Sequence, residues 1–279
     1  MLGSDVRHAA ERAGHEAPLL DRCALDVTDR EAVAAAFDRE RPDAAVNCAG
    51  WTDVDGAETH REQAHAINAE GAGILARAAA AAGVPLLQVS SDYVFDGDAP
   101  RGGSGSPRPY VESDPTGPCS VYGESKLVGE QQVLAASPRH VVVRSAWLFG
   151  LDGHNFAATM LRLAGEKDAV QVVEDQIGCP TWTGHLAPAL VGLLERGVSG
   201  LVHLAGAGHV CWSGFAREIF RQAEVDCRVE PISTAQMSRP ARRPAWSALE
   251  SEREDVLPLP PWQDGLAGYL AARAGMMRS

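Results

Sequence analysis

The chain has 279 residues, 45% of them hydrophobic and 22% charged, with a formal net charge of -12. That length and core content suit one large α/β unit, alone or with a smaller lobe, and the acidity excludes a smooth nucleic-acid-binding surface, which needs the opposite sign. No apolar run approaches the roughly 18 residues of a membrane helix, no signal peptide is visible, and Cys23, Cys48, Cys119, Cys179, Cys211 and Cys227 form no C-x-x-C pair of zinc or redox spacing. Free thiols in a reduced compartment, and so the cytoplasm, are expected.

In chain order, Leu2-Gly3 runs straight into a helical pattern that ends at Gly14. Thr28-Asp29-Arg30-Glu31 has capping-box spacing and predicts a helix through about Glu40. "RPDAAVNCAG" reads as a short strand ending in small residues, and the alanine-rich residues 58–82 as helix. "VPLLQVSSDYVF" predicts the next strand. Residues 96–118, dense in Gly, Pro and Ser, form a long surface loop, either a mobile connection or a flap beside a site. Helices over 120–136, 155–166, 184–196 and 213–224 alternate with the strands "RHVVVRSAWLFG", "DAVQVVEDQ" and "GLVHLAG". The apolar runs are nearly continuous, as strands buried on both faces require. This alternation predicts an α/β fold with a parallel, doubly wound sheet. Beyond about residue 150, Pro-rich islands ("DQIGCPT", "RPARRPAWSAL") predict a smaller C-terminal lobe, closing over the strand ends where such sheets bind ligands.

The strongest chemical signal is "VYGESKLVGE". Tyr122 and Lys126 lie four apart and share one helix face. A nearby ammonium favours the phenolate and lowers the ordinary tyrosine pKa of about 10, which suits proton exchange with a carbonyl oxygen. By itself this spacing also describes many exposed Tyr/Lys pairs. Ser90 and Ser91 close a strand where a hydroxyl can donate to a substrate oxygen, and Cys48, Ala49 and Gly50 close another in side chains small enough for a flat cofactor. Ordinary strand-end turns would look the same.

Taken together and in order, "LDVTD", "VNCAGWTDVDGAE", "SSDYVFDG", "VYGESKLVGE", "RSAWLFG", "NFAATMLRLA", "DQIGCPT" and "RPAWSAL" resemble the dTDP-4-dehydrorhamnose reductase family of the extended short-chain dehydrogenase/reductase superfamily. The resemblance implies a Rossmann-like fold, with residues 1–150 as dinucleotide-binding domain and 151–279 mainly as substrate-binding lobe, some segments returning to the main sheet. It implies reduction of a dTDP-4-keto sugar by NADPH or NADH. Tyr122 would give a proton to the keto oxygen, Lys126 would hold the nicotinamide ribose, and Ser91 stands where the family has threonine. Gly3, Cys48, Ala49 and Gly50 would line the cofactor cleft, and Asp26 and Val27 would meet the adenine. Asp21-Arg22 is taken to close a strand before "CALDV"; an acid there favours NADH and an arginine the 2′-phosphate of NADPH, with the balance toward NADPH. Trp147 would pack on the sugar nucleotide. Asp55, Asp92, Asn155 and Arg243 are candidates for substrate contact or loop support, Arg243 because a diphosphate suits a guanidinium fork.

The chain departs from the family pattern at its front, where a buried strand and a G-x-x-G-x-x-G turn are expected and only Leu2-Gly3 can be matched. That strand would be central, so without it two neighbours have open edges and most pyrophosphate-cradling amides are missing. "GGSGS" at 102–106 lacks the flanking strand and helix of a phosphate loop. The expectation is a natural start upstream of Met1. The resemblance also raises a magnesium ion and a homodimer, but "WQDGLAGYLAARAGMMRS" shows no matching acidic set and no metal ligand is assigned. Rival readings are a related epimerase or dehydratase, against which Tyr93-Val94-Phe95 follow Asp92, and a non-catalytic regulatory or binding subunit. His60 and His65 miss the i,i+4 metal spacing, and no G-x-S-x-G elbow is present.

Overall fold

The two most apolar runs become central strands. The computed structural model describes residues 1–103 and 105–276. Its strands are β1 (Ala45–Asn47), β2 (Leu86–Ser91), β3 (Val141–Ser145), β4 (Leu148–Phe149), β5 (Ala169–Val173), β6 (Ile177–Gly178), β7 (Thr181–Trp182), β8 (Gly200–His203), β9 (Val210–Cys211) and β10 (Arg228–Ile232). Its helices are α1 (Leu2–Arg12), α2 (Arg30–Glu40), α3 (Val54–Thr59), α4 (Arg61–His65), α5 (Ala72–Ala81), α6 (Val121–Ala136), α7 (Phe156–Ala164), α8 (Thr183–Glu195), α9 (Trp212–Gln222) and α10 (Trp262–Met276).

The main sheet runs β1-β2-β3-β8, parallel throughout. Every residue of β2 and β3 is buried. Side chains alternate between faces with the strand period of two. Leu87, Val89, Val141 and Val143 meet Leu2 and Val6 of α1 and Leu186 and Leu190 of α8. Leu86 and Val142 meet Val33 of α2, Leu75 of α5 and Val133 of α6 on the other face. Helices therefore cover both faces, which is what lets both strands be apolar throughout.

A second core lies outside this sheet. The segment expected as a strand at "DAVQVVEDQ" forms β5, but β5 pairs in parallel with β10 in a separate two-stranded sheet. Phe149, Phe215, Ile219, Trp262, Leu266 and Tyr269 pack beside it, joining α9 and α10. β8 and α8, between these pieces in sequence, belong to the main sheet and its covering layer.

Several local expectations give way. The second helix is capped by Asp29, whose Oδ1 accepts from the Glu31 and Ala32 amides at 2.9 and 3.0 Å, while Thr28 is engaged by Asp26. The 58–82 helix is broken into α3, α4, a π-helical turn (Ala66–Gly71) and α5. The strand expected to close at Asp21-Arg22 does not form. Residues 15–20 carry no ladder, Leu19 is 45% exposed, and Asp21 turns the chain by accepting from the Cys23 and Ala24 amides. The physical reason is local: among the described residues β1 pairs only with β2, so no strand lies at its other edge to take these hydrogen bonds. The 96–118 loop is fastened along its length. Tyr110 stacks on Phe95 at 3.9 Å, Arg108 forks onto Asp114, and Glu112 accepts from the His203 amide, the Ser251 hydroxyl and the Glu252 amide. Ser104, in the middle of "GGSGS", lies outside the described residues.

Candidate active site

The site forms where the carboxyl end of β2 meets the first turn of α6. Ser120 caps that helix, its hydroxyl accepting from the Gly123 amide at 3.2 Å. Gly123 lets the turn press against the chain beyond β2: a Cβ there would stand 2.2 Å from the Tyr93 carbonyl oxygen. This close approach places the Tyr122 phenol against the Ser91 hydroxyl, with the Tyr93 ring edge-on at 5.5 Å.

Burial pushes the Tyr122 phenol up to about 12; the Ser91 hydroxyl pulls it down and Asp92 pushes it further up. Lys126 follows one turn later, but its Nζ donates to the Val89 carbonyl oxygen at 2.6 Å. Burial pulls its ammonium down to about 8, opposed by Glu130 and Cys48. The expectation that Lys126 lowers the phenol is therefore not what this geometry produces. Desolvation dominates, and the phenol is held protonated.

Beneath this pair lies a buried polar network that spacing alone did not reveal. Glu130 accepts from the Ser90 hydroxyl at 2.5 Å and from Arg144 Nε and Nη2 at 2.9 and 2.7 Å. Arg144 and Glu130 are 4% and 3% exposed, and Arg144 Nη1 meets His203 Nε2 at 3.3 Å. Their separation in sequence left no periodic signal. Asn68, on the π-helical turn, was also missed. Its Oδ1 accepts from the Trp51 amide at 2.8 Å and its Nδ2 donates to Ser125 Oγ at 2.9 Å, tying the chain after β1 to α6.

The small residues expected to line a cofactor cleft follow β1. Asn47 Oδ1 accepts from the Ala49 amide at 2.9 Å. A Cβ on Gly50 would stand 3.1 Å from Asn68 Oδ1 and 3.8 Å from Lys126 Nζ, so any larger residue there would crowd both groups. The Cys48 thiol is pushed up to about 12 by burial and is unreactive as a nucleophile. Gly3 lies over Cys48 and Leu19, bringing the first turn of α1 to the same edge. Asp26 is taken by the Thr28 amide and hydroxyl at 2.9 and 2.7 Å, which hold its carboxyl low; Arg22 stands nearby, and Val27 packs on Gly71.

Asp55 and Arg243, expected as separate candidates, meet each other. Arg243 forks onto Asp55 at 2.9 and 2.8 Å and also donates to the Ala241 carbonyl, while Arg239 approaches Asp55 to 3.7 Å. Arg243 holds the Asp55 carboxyl below its usual range and also faces Tyr93. Trp147 stacks on Trp212 at 3.5 Å and 4°, with Gly178 making room for the indole. Its φ of 47° is a left-handed conformation that costs a bulky residue roughly 1–3 kcal/mol and concentrates at functional sites. Asn155 caps α7, accepting from the Ala158 amide at 2.9 Å and donating to the Gly150 carbonyl at 2.8 Å. Of the two roles weighed for it, loop support is the one it fills here. Asp92 is fully buried. Its Oδ1 accepts from Ser91 Oγ at 3.0 Å, its Oδ2 has no hydrogen-bond partner, and burial pushes it up to about 6.

Among the described residues, no three His, Cys, Asp or Glu side chains gather as a metal site, and no helix is long and apolar enough to cross a membrane.

The RmlD substrate binding domain family model matches residues 1–274. A dTDP-4-dehydrorhamnose reductase of Mycobacterium tuberculosis (strain ATCC 25618 / H37Rv) is 45% identical, covering 98% of this chain and 90% of that protein. The crystal structure of a dTDP-4-dehydrorhamnose reductase from Clostridium acetobutylicum superposes with a TM-score of 0.90 at 36% identity, covering 97% of this chain and 95% of that one. That of the Bacillus anthracis str. Ames enzyme in complex with NADP superposes with a TM-score of 0.92 at 33% identity and the same coverage.

Proposed function

The chain belongs to the RmlD substrate binding domain family, and from that premise we infer that it reduces the 4-keto group of dTDP-4-dehydro-L-rhamnose to give dTDP-L-rhamnose, as an NAD(P)H-dependent oxidoreductase of rhamnose biosynthesis. The observation that carries the assignment of roles is the meeting of Tyr122 and Ser91 at the end of β2 with Lys126 one turn behind.

The residues present fit a nicotinamide cofactor. An ammonium has three donors; Lys126 gives one to Val89, and the glycine opposite keeps side-chain bulk off the others, which ribose hydroxyls would take. When bound, the nicotinamide supplies the hydride to the sugar's keto carbon. Tyr122, neutral in its buried setting, gives its phenolic proton to the keto oxygen as negative charge develops there. Ser91 hydrogen-bonds the same oxygen. Hydride and proton together complete the alcohol. In this low-dielectric pocket, fixed donors aimed at the developing charge stabilise it more than water would.

NADPH is the preferred cofactor in this reading. A relative binds NADP, and Asp21, the acid that would select NADH, spends its carboxylate on its own turn, leaving Arg22 to read a 2′-phosphate. The body built from β5, β10, α7, α9 and α10 is the substrate-facing lobe. Trp147 packs against both the cluster of this body and the cluster around Phe95, and Arg243, tied to Asp55, faces Tyr93.

Tyr122→Phe tests the mechanism. Following NADPH absorbance with dTDP-4-dehydro-L-rhamnose, turnover should fall by about 100-fold or more, with circular dichroism and cofactor affinity unchanged. Near-normal turnover would overturn the role given to Tyr122.

A further inference from the structure

Two acceptors face one proton at Ser91. A serine hydroxyl has a single O–H to give. Here it goes to Asp92 Oδ1 at 3.0 Å, while the Tyr122 oxygen lies against the same hydroxyl and the Tyr93 amide donates to it at 3.2 Å. A Ser91 engaged in this way has nothing to offer a keto oxygen. Turning its proton to substrate while Asp92 stays ionised would take one hydroxyl away from a buried carboxylate whose Oδ2 makes no hydrogen bond, leaving it the Ser247 hydroxyl and its own backbone amide. Protonating Asp92 removes the conflict: the carboxyl O–H donates to Ser91 Oγ, and the Ser91 proton is released.

We propose that Asp92 is a positioning residue that sets the direction of the Ser91 hydroxyl: protonated, it turns the Ser91 proton toward the keto oxygen, and ionised, it captures that proton and silences the contact. The inference rests on the roles given to Ser91 and Tyr122 above. Burial favours the protonated form, against the Ser247 and Ser91 hydroxyls, which pull the carboxyl down. Tyr93 faces Asp92 from its own turn, Tyr122 from α6, Cys179 from the segment between β6 and β7, and Ser247 from the 245–249 segment. The cations that face Tyr93, Arg243 and Arg239, are both drawn to Asp55. An ionised Asp92 would also oppose the charge that develops on the keto oxygen, so both effects act in one direction.

The experiment is the pH profile of kcat/KM for the full chain and for Asp92→Asn. An amide keeps the shape of the protonated acid and donates to Ser91 at every pH. The wild type should lose activity as pH rises through the ionisation of Asp92, approaching tenfold per pH unit, whereas Asp92→Asn should retain the acid-side rate within about threefold and lose that fall. An unchanged alkaline limb, or an equal loss of turnover at every pH, would overturn the inference. If Asp92→Asn does not fold, infrared difference spectroscopy of wild type carrying 13C-aspartate decides: the protonated-carboxyl band must titrate with the same midpoint as kcat/KM, and a different midpoint refutes the coupling. Ser91→Ala separates this from the underlying reading. It should slow turnover and also remove the limb; turnover left at the wild-type rate would mean that Ser91 has no catalytic contact at all.

Discussion

Asp21 and Arg22 are chain neighbours that pull cofactor choice in opposite directions, and the structure separates them by what each side chain is already doing. Asp21 holds two amides of its own turn; Arg22 holds none of that turn. Arg22→Ala should therefore weaken NADPH and spare NADH. A charge-assisted hydrogen bond is worth about 1.5–3 kcal/mol, so KM for NADPH should rise on the order of 10- to 100-fold while KM for NADH stays within about twofold. Equal rises for both cofactors would remove Arg22 from the 2′-phosphate. At this scale the sequence shows which residues carry chemistry better than what state they are in. Tyr122 and Lys126 are legible because four residues make one helical turn. The direction of the phenol's pKa was not, because desolvation depends on what folds over the ring. Partners distant in sequence were equally hidden: Asp55 pairs with Arg243 and Glu130 with Arg144, and no periodicity links either pair. Asn68 escaped notice because an asparagine inside an alanine-rich run looks like surface until the helix around it is seen to widen.

That widening belongs to the scale of elements. The run from 58 to 82 has the composition of one helix, yet it breaks at His60 (φ −123°) and passes through a π-helical turn at Ala66–Gly71 before α5. Packing against α6 accounts for the demand on this segment: a Cβ at Gly129 would stand 2.1 Å from the Asn68 carbonyl oxygen. On another side of the turn, a Cβ at Gly71 would stand 2.9 Å from the Val27 side chain, in the segment before α2. The backbones of α6 and the π turn meet where only glycine fits. Gly129→Ala should therefore destabilise the fold by about 2 kcal/mol, as overpacking does, despite alanine's better helix propensity. Gly275→Ala, at a helical glycine with nothing within 4 Å of the added carbon, should be neutral or slightly stabilising. Urea midpoints of the two variants compare them directly, and a neutral Gly129→Ala would show that the contact relaxes without cost. The ranges expected for α6 and α7 match the helices that form, whereas α10 was not anticipated. Nor was β10, because "RVEPI" is largely exposed and carries a proline.

For the whole molecule, the same doubly wound logic that made the strands legible sets where the fold should be strongest. β2 and β3 have a parallel partner on each side and helices over each face, so their amides open only when the sheet itself opens. β1 has three residues and one partner, and residues 15–20 join no ladder. A strand needs a neighbour to satisfy its backbone as much as an apolar sequence to bury its side chains, and this is why the expected strand before "CALDV" is apolar enough yet unformed. Amide exchange follows the free energy of local opening, from near zero in unpaired segments up to the global stability in core strands. Hydrogen–deuterium exchange should therefore leave peptides covering 86–91 and 141–145 as the slowest of the main sheet, with peptides covering 15–21 exchanging at least about 100-fold faster and the outer edge of β1 between them. If the cofactor binds as proposed, adding NADPH should slow exchange most around 45–51 and 120–127, where Gly50 and Lys126 face each other. Protection at 15–21 equal to that of β2 without cofactor would mean that this segment is paired in solution, and the account of why its strand is absent would fail.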